Sequence, residues 1–450
     1  MPTPVEFYLL FKRKFAIDKT VTFATLTSIT PMITGSVTVL LVAIYFSPEL
    51  QGYYYTFGSL TALQFLLEMG LGQAVIQFAS HEWAYLQLNS QGEIIGDPDS
   101  LSRLVSLSRQ TFKWYVVLAV FVAVILSATG LIFFSKSTES GIQWVGPWLS
   151  LCLCASLNLV LMPIFYLLQG CNQVTEFWFY RFIQQILNGL CLWSAIYMGA
   201  KLWTAPAAGA VGLLWSIFFL WYKYRKFVLT VLFSTCGRSI INWRKEVWPV
   251  QWKIAICWFS VYFTPQLFVP MLFKLSGPVT AGQMGIIVTI GGVILGLSSN
   301  WVVTKAPAFG ILIAKRRFDE LDLLFFKSLK VSLVVAILSS VTIFCAILML
   351  NFMDHPFAIR VLPPYPSGLY FCSSLITIAC VNLSTYLRAH KKEPLAVVYL
   401  LSTASIVIVT YLLCSKFGAM GISSGYLLVL SLIQLPLTIF VFIRSRAVWH

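Results

Sequence analysis

Between Lys113 and Lys136 the chain reads WYVVLAVFVAVILSATGLIFFS, residues 114–135, without one charged side chain. An α-helix rises 1.5 Å per residue, so about 20 such residues cover the roughly 30 Å of hydrocarbon in a bilayer. Hydrocarbon offers nothing to a backbone N–H or C=O, so a stretch like this is stable there only as a helix, which pairs its own backbone. Eleven more apolar stretches of spanning length lie near 20–46, 53–80, 143–170, 174–200, 204–222, 250–274, 279–303, 329–352, 365–388, 394–415 and 418–443. They predict an all-α integral membrane protein of about 12 transmembrane helices.

Composition agrees. Of 450 residues 58% are hydrophobic and only 10% are charged, with a mean hydropathy of +0.83. A soluble domain needs roughly a quarter of its residues charged. The net charge of +15 does not point to nucleic acid, because the basic residues sit between apolar runs. The ten cysteines are scattered singly, mostly inside those runs, and read as small buried hydrophobes. The start of the chain lacks the short apolar region and small-residue cleavage site of a signal peptide, so the first span is expected to stay.

Lys and Arg fix the expected orientation. With the N-terminus inside, 26 of the 31 basic residues fall on the cytoplasmic side and 5 outside: Lys136, Lys201, Lys274, Arg360 and Lys416. One span more or fewer would scramble that alternation, so both termini are predicted inside. The basic connection 223–249 divides the chain into an N-terminal bundle of six helices, 1–222, and a C-terminal one, 250–450. The first hairpin of each half carries the same Pro-x-x-x-Gly, at Pro48–Gly52 and Pro278–Gly282, which suits two halves related by a repeat.

Polar residues inside spans are costly, so those sharing a face mark candidate sites. On one continuous helix Thr61, Gln64, Glu68 and Gly72 would fall within an arc of about 80°, with Glu68 near mid-membrane. Glu68 is expected to face water in at least one state and to couple a proton or sodium ion to transport, with Gln64 and Thr61 beside it. Thr27, Thr30, Thr34 and Thr38 form a stripe in the first span, equally readable as helix packing. Arg181, Gln184, Gln185 and Asn188 share a face of the fifth, and Ser374, Thr377, Thr385 and Arg388 one of the tenth. Lys305 ends the eighth span. For Arg181, Lys305 and Arg388 the alternatives are phosphate binding and anchoring at the interface. No Walker A or metal-binding cluster is present in the sequence, and no bound cofactor is expected beyond a coupling ion.

The runs Ser47-Pro-Glu-Leu-Gln-Gly-Tyr-Tyr-Tyr55, Leu67-Glu-Met-Gly-Leu-Gly-Gln73, Trp248-Pro-Val-Gln-Trp252 and Thr304-Lys-Ala-Pro307 resemble bacterial polysaccharide-biosynthesis membrane proteins. Those are O-antigen flippase-like (Wzx-type) members of the multidrug, oligosaccharidyl-lipid and polysaccharide (MOP) exporter superfamily. The resemblance implies paired six-helix bundles around a cationic cavity in the bacterial cytoplasmic membrane. Alternating access there would carry an undecaprenyl-pyrophosphate-linked oligosaccharide outward, with membrane lipids and polysaccharide polymerase machinery as partners. It implies a transporter and not an enzyme, with Arg181, Lys305 and Arg388 for phosphate and Gln184, Gln185 and Asn188 for sugar hydroxyls. The competing expectations are a cation-coupled multidrug exporter of the same superfamily and a polysaccharide polymerase or ligase. The latter would want a large outer loop, where this chain offers only about 353–364.

Overall fold

The computed structural model describes residues 19–64, 68, 70–89, 92–135, 141–234, 239, 241–248, 266–305, 308–309, 312–313, 315–390 and 394–449. Eight described helices are long and apolar enough to cross a membrane, and the protein is a multi-pass membrane protein. Helices α1 (Lys19–Tyr45), α2 (Pro48–Ala62) and α3 (Leu71–Trp83) come first. An antiparallel hairpin, β1 (Leu86–Leu88) with β2 (Ile94–Gly96), leads into α4 (Pro98–Phe134). Then come α5 (Val145–Gly170), α6 (Val174–Tyr197), α7 (Thr204–Phe233) and α8 (Gln266–Ser276). The chain finishes with α9 (Pro278–Val303), α10 (Phe318–Phe352), α11 (Pro364–Ala389), α12 (Ala396–Val429) and α13 (Leu435–Trp449). Of the span expected near 250–274, residues 250–265 lie outside the described residues.

These elements gather into two compact units. One holds Met1–Thr34, Leu67–Leu131 and Gln143–Ala255, and the other Gly35–Leu66, Ile132–Ile142 and Ile256–His450. Compactness follows packing and not chain order: α2 belongs to the second unit because it lies along α9.

The expected single helix over 53–80 is corrected to two. Gly70 takes φ 64°, a left-handed conformation that no right-handed helix contains, and α3 starts immediately after it. The arc predicted for Thr61, Gln64, Glu68 and Gly72 therefore does not exist as one helical face. Thr61 and Gln64 fall in the second unit and Glu68 in the first. The sixth span, expected to end at 222, runs on as helix to Phe233 with a kink at Tyr224. The junction expected between 394–415 and 418–443 is a bend at Gly418 inside α12.

In the second unit the two Pro-x-x-x-Gly motifs meet. Pro48 and Pro278 each open a helix, where a missing N–H costs nothing. One turn later Gly52 lies so close to α9 that a Cβ there would overlap the Pro278 carbonyl, and a Cβ on Gly282 would come within 2.8 Å of the Gly52 nitrogen. Side-chain amides flank the crossing. Gln51 Nε2 donates to the Arg360 carbonyl at 3.1 Å and Gln283 Nε2 to the Ile359 carbonyl at 2.9 Å, so one 3₁₀ turn, Pro356–Arg360, is held by both helices.

In the first unit α5 packs on α3 and α7, and α6 on α7. Where α4 begins, Arg103 donates to Glu82 and to Glu246, both at 2.8 Å. Ser102 Oγ donates to the Ser239 carbonyl at 2.7 Å, and Arg109 to the carbonyls of Leu232 and Ser234. The connection expected as a basic linker is thus fastened to α4 at Ser239 and Glu246. The Asn242 N–H, and after it the Arg103 guanidinium, hold the Glu246 carboxyl below the usual carboxylate range.

Two outcomes are expected. Gly52→Ala should lower the thermal midpoint of the purified protein, equivalent to about 1–3 kcal/mol of overpacking, whereas Gly58→Ala, whose Cβ would meet nothing within 4 Å, should leave it unchanged. Arg103→Ala removes two partly exposed ion pairs, so limited trypsinolysis after Arg244 and Lys245 should quicken about fivefold.

Candidate functional site: a polar cavity and a buried carboxyl

The second unit contains a cavity of about 760 Å³. One wall is a single face of α11, where Tyr370, Ser374, Thr377, Val381, Ser384 and Arg388 recur at helical spacing. From Tyr370 to Arg388 that face is about 27 Å long, close to the thickness of the hydrocarbon. Opposite it stand Tyr55 and Ser59 from α2, Gln266 from α8 and Thr289 from α9, with Tyr399, Thr403 and Tyr426 from α12. Four tyrosines, several hydroxyls and two glutamine amides line the space. Among the described lining residues one is cationic, Arg388, and none is acidic. Such a wall can stack against flat rings, exchange hydrogen bonds with hydroxyls and attract an anion, and it offers a cation no counter-charge.

Ser374, Thr377 and Arg388 were legible as a stripe, but Thr385 is not a lining residue: its hydroxyl donates to the Val381 carbonyl at 2.9 Å, and Ser384 takes its place at the cavity. Stepping four residues back from Ser374 and from Arg388 would have found Tyr370 and Ser384. Gln434, also lining, lies in a π-helical turn, Leu430–Gln434. The signal was Pro436, which has no N–H for the carbonyl four residues back, so the helix widens just before it.

In the first unit Glu68 is 8% exposed. Its Oε1 accepts hydrogen bonds from the hydroxyls of Tyr115 on α4, at 2.6 Å, and Tyr166 on α5, at 2.7 Å. Arg181 lies near enough to Tyr166 to act on it electrostatically. Arg181 Nη1 donates to Gln184 Oε1 at 3.0 Å, and Gln184 Nε2 donates to Ser216 Oγ at 3.2 Å and the Gly212 carbonyl at 3.4 Å. Gln184 is therefore occupied in joining α6 to α7. Gln185 Oε1 and Asn188 Oδ1 are buried acceptors with no donor among the described residues. Of the first-span threonines, Thr27 donates to the Trp178 carbonyl at 3.2 Å and Thr30 to Leu26 of its own helix at 2.8 Å.

The remaining expected residues stand in the second unit. Thr61 bonds back to Phe57 of α2, and Gln64 Oε1 is buried with no donor among the described residues. Lys305 sits half-buried in the turn after α9, where the carbonyl end of a helix favours a cation, and is not among the lining residues of the cavity.

No protein-family model and no curated protein matches the chain. Solved structures do. A multidrug-resistance MATE family transporter of the MOP superfamily, in an inward-facing conformation, is similar with a TM-score of 0.66 and 13% identity over 96% of this chain and 98% of that one. The lipid II flippase MurJ, in an inward closed conformation, is similar with a TM-score of 0.63 and 14% identity over 93% of this chain and 87% of that one. The chain has the fold of MOP superfamily transporters. A third similar structure, at a TM-score of 0.61 and 12% identity over 97% of both chains, is a MOP superfamily transporter from Pyrococcus furiosus described as having a binding pocket of reverse polarity.

Within this MOP fold the Glu68 cluster makes a direct prediction. Tyr115→Phe and Tyr166→Phe each leave a buried acceptor short of one donor, so each should destabilise the purified protein by about 1–3 kcal/mol. Because both donors serve one oxygen, the double variant should depart from additivity in thermal unfolding.

Proposed function

We propose that the chain is a flippase that moves an undecaprenyl-pyrophosphate-linked oligosaccharide across the bacterial cytoplasmic membrane by ion-coupled alternating access, its spans arranged as two six-helix halves. The observation that carries this reading is the second-unit cavity, with Arg388 at one end of a 27 Å face of hydroxyls and aromatic rings and no acidic lining residue. A lipid-linked pyrophosphate brings anionic charge and sugar hydroxyls together, which is the chemistry those walls complement. The fold shared with a lipid II flippase supports transport of a lipid-linked cargo. Gln185 and Asn188, with buried acceptors awaiting donors, are suited to sugar hydroxyls, and Arg181 and Lys305 to the phosphates. Glu68, between two tyrosines, is the proposed site of proton or sodium coupling.

The second reading, a cation-coupled multidrug exporter, is favoured by the buried Glu68 carboxyl and by the MATE fold. A cationic drug would meet no carboxylate among the described lining residues of the cavity, so the flippase reading is the better one.

The deciding experiment is movement of a lipid-linked glycan in vesicles containing the purified protein, run beside efflux of a cationic dye. Arg388→Gln should slow glycan movement roughly ten- to hundredfold, as expected for losing a partly desolvated charge-assisted bond, and Arg388→Lys should recover part of it. The Arg181→Ala, Lys305→Ala double variant should impair export in cells at matched protein level. Glu68→Gln should abolish dependence on the ion gradient. Dye efflux without glycan movement would sink the proposal in favour of the exporter.

A further inference from the structure

Helix α7 is 30 residues long, about 45 Å, against roughly 30 Å of hydrocarbon, so its last third projects beyond the apolar layer. Counted from Thr204, the level at which it leaves is near residues 221–225. There the chain reads Trp221-Tyr-Lys-Tyr-Arg-Lys226, and the kink at Tyr224 falls within the same turn. Three cations crowd this point and they are not equivalent. Lys223 is ion-paired with Glu176, and Lys226 with Glu93 at 3.0 Å. Arg225 has no carboxylate among the described residues; its guanidinium lies over the Trp221 ring, 4.5 Å from the centroid.

The ring beneath it is itself open. Trp221 is 63% exposed and Tyr222 82%, and toward the membrane interior the same side continues through Phe218, 57% exposed, and Leu214, 65% exposed. Phe218 and Tyr222 stack with centroids 5.7 Å apart and planes within 10°. An unneutralised planar cation thus tops an apolar stripe about three turns deep, at the depth where lipid phosphates meet acyl chains.

We infer that this is a binding site for an anionic phospholipid: the phosphodiester on Arg225, the glycerol region against Trp221 and Tyr222, and an acyl chain along Phe218 and Leu214. Charge and polarity select that occupant. A zwitterionic lipid carries its own cation to compensate the phosphate, and a soluble anion has no use for the stripe below. A guanidinium resting over an indole keeps N–H groups available to phosphate oxygens, which a paired lysine does not.

The test is native mass spectrometry of the full-length protein taken from nanodiscs of phosphatidylcholine with and without phosphatidylglycerol. Wild type should retain phosphatidylglycerol in preference to phosphatidylcholine. Arg225→Gln should weaken that preference about fivefold, the usual worth of one basic residue at an anionic surface. Arg225→Lys should lie between, while Lys223→Gln and Lys226→Gln, which remove cations already neutralised, should change it little. Equal melting of all variants in phosphatidylcholine alone establishes that the fold is intact. Undiminished preference in Arg225→Gln overturns the site, and an equal loss in all three glutamine variants reduces it to diffuse surface charge.

Discussion

Hydrocarbon cannot hydrogen-bond to a peptide group, and that constraint organises the rest of this structure. Wherever the chain is in contact with lipid it has to be helix, so departures from regular helix are confined to places where protein or polar side chains satisfy the backbone. Two of the described departures stand beside candidate polar residues. Gly70 turns the chain two residues after Glu68, and the π-turn ends on Gln434 at the cavity wall.

The two units treat charge in opposite ways. Glu68 is withdrawn from solvent, its Oε1 accepting from phenol hydroxyls of α4 and α5. Arg388 instead opens onto a cavity whose other described lining residues are uncharged. In the proposed flippase the first arrangement would answer to an ion and the second would hold the cargo.

Much of the helical scaffold was legible because hydropathy is a local property: eight described helices match apolar runs read from the sequence. The stripe of α11 was largely legible for the same reason, since 3.6-residue periodicity needs no partner. What escaped were features set by distant residues. Leu67-Glu-Met-Gly-Leu71 reads as uninterrupted helix, and glycine alone does not force the left-handed turn; packing selects it. The Arg103 bridge joins side chains 143 positions apart to Glu246, and the cavity draws its walls from five helices, so neither has a signature in any window. Gln184 fell on the expected face, yet its hydrogen bonds to α7 show a residue used to join helices, which spacing cannot distinguish from one left open to a ligand.

The crossing of α2 and α9 at Gly52 and Gly282 has an energetic consequence of its own. Backbones approach this closely only because side chains are missing at the crossing itself. In lipid there is no hydrophobic drive between helices, so the pair is held by short-range dispersion, and by one amide-to-carbonyl bond from each helix to the shared 3₁₀ turn, each contributing about 1 kcal/mol net. Dispersion falls off within an ångström or so of separation, and the amide bonds exchange readily for water. The junction is therefore exacting about register. A slip of even one residue would set a side chain against the Pro278 carbonyl or the Gly52 nitrogen, so the two helices have one register in which they can lie together.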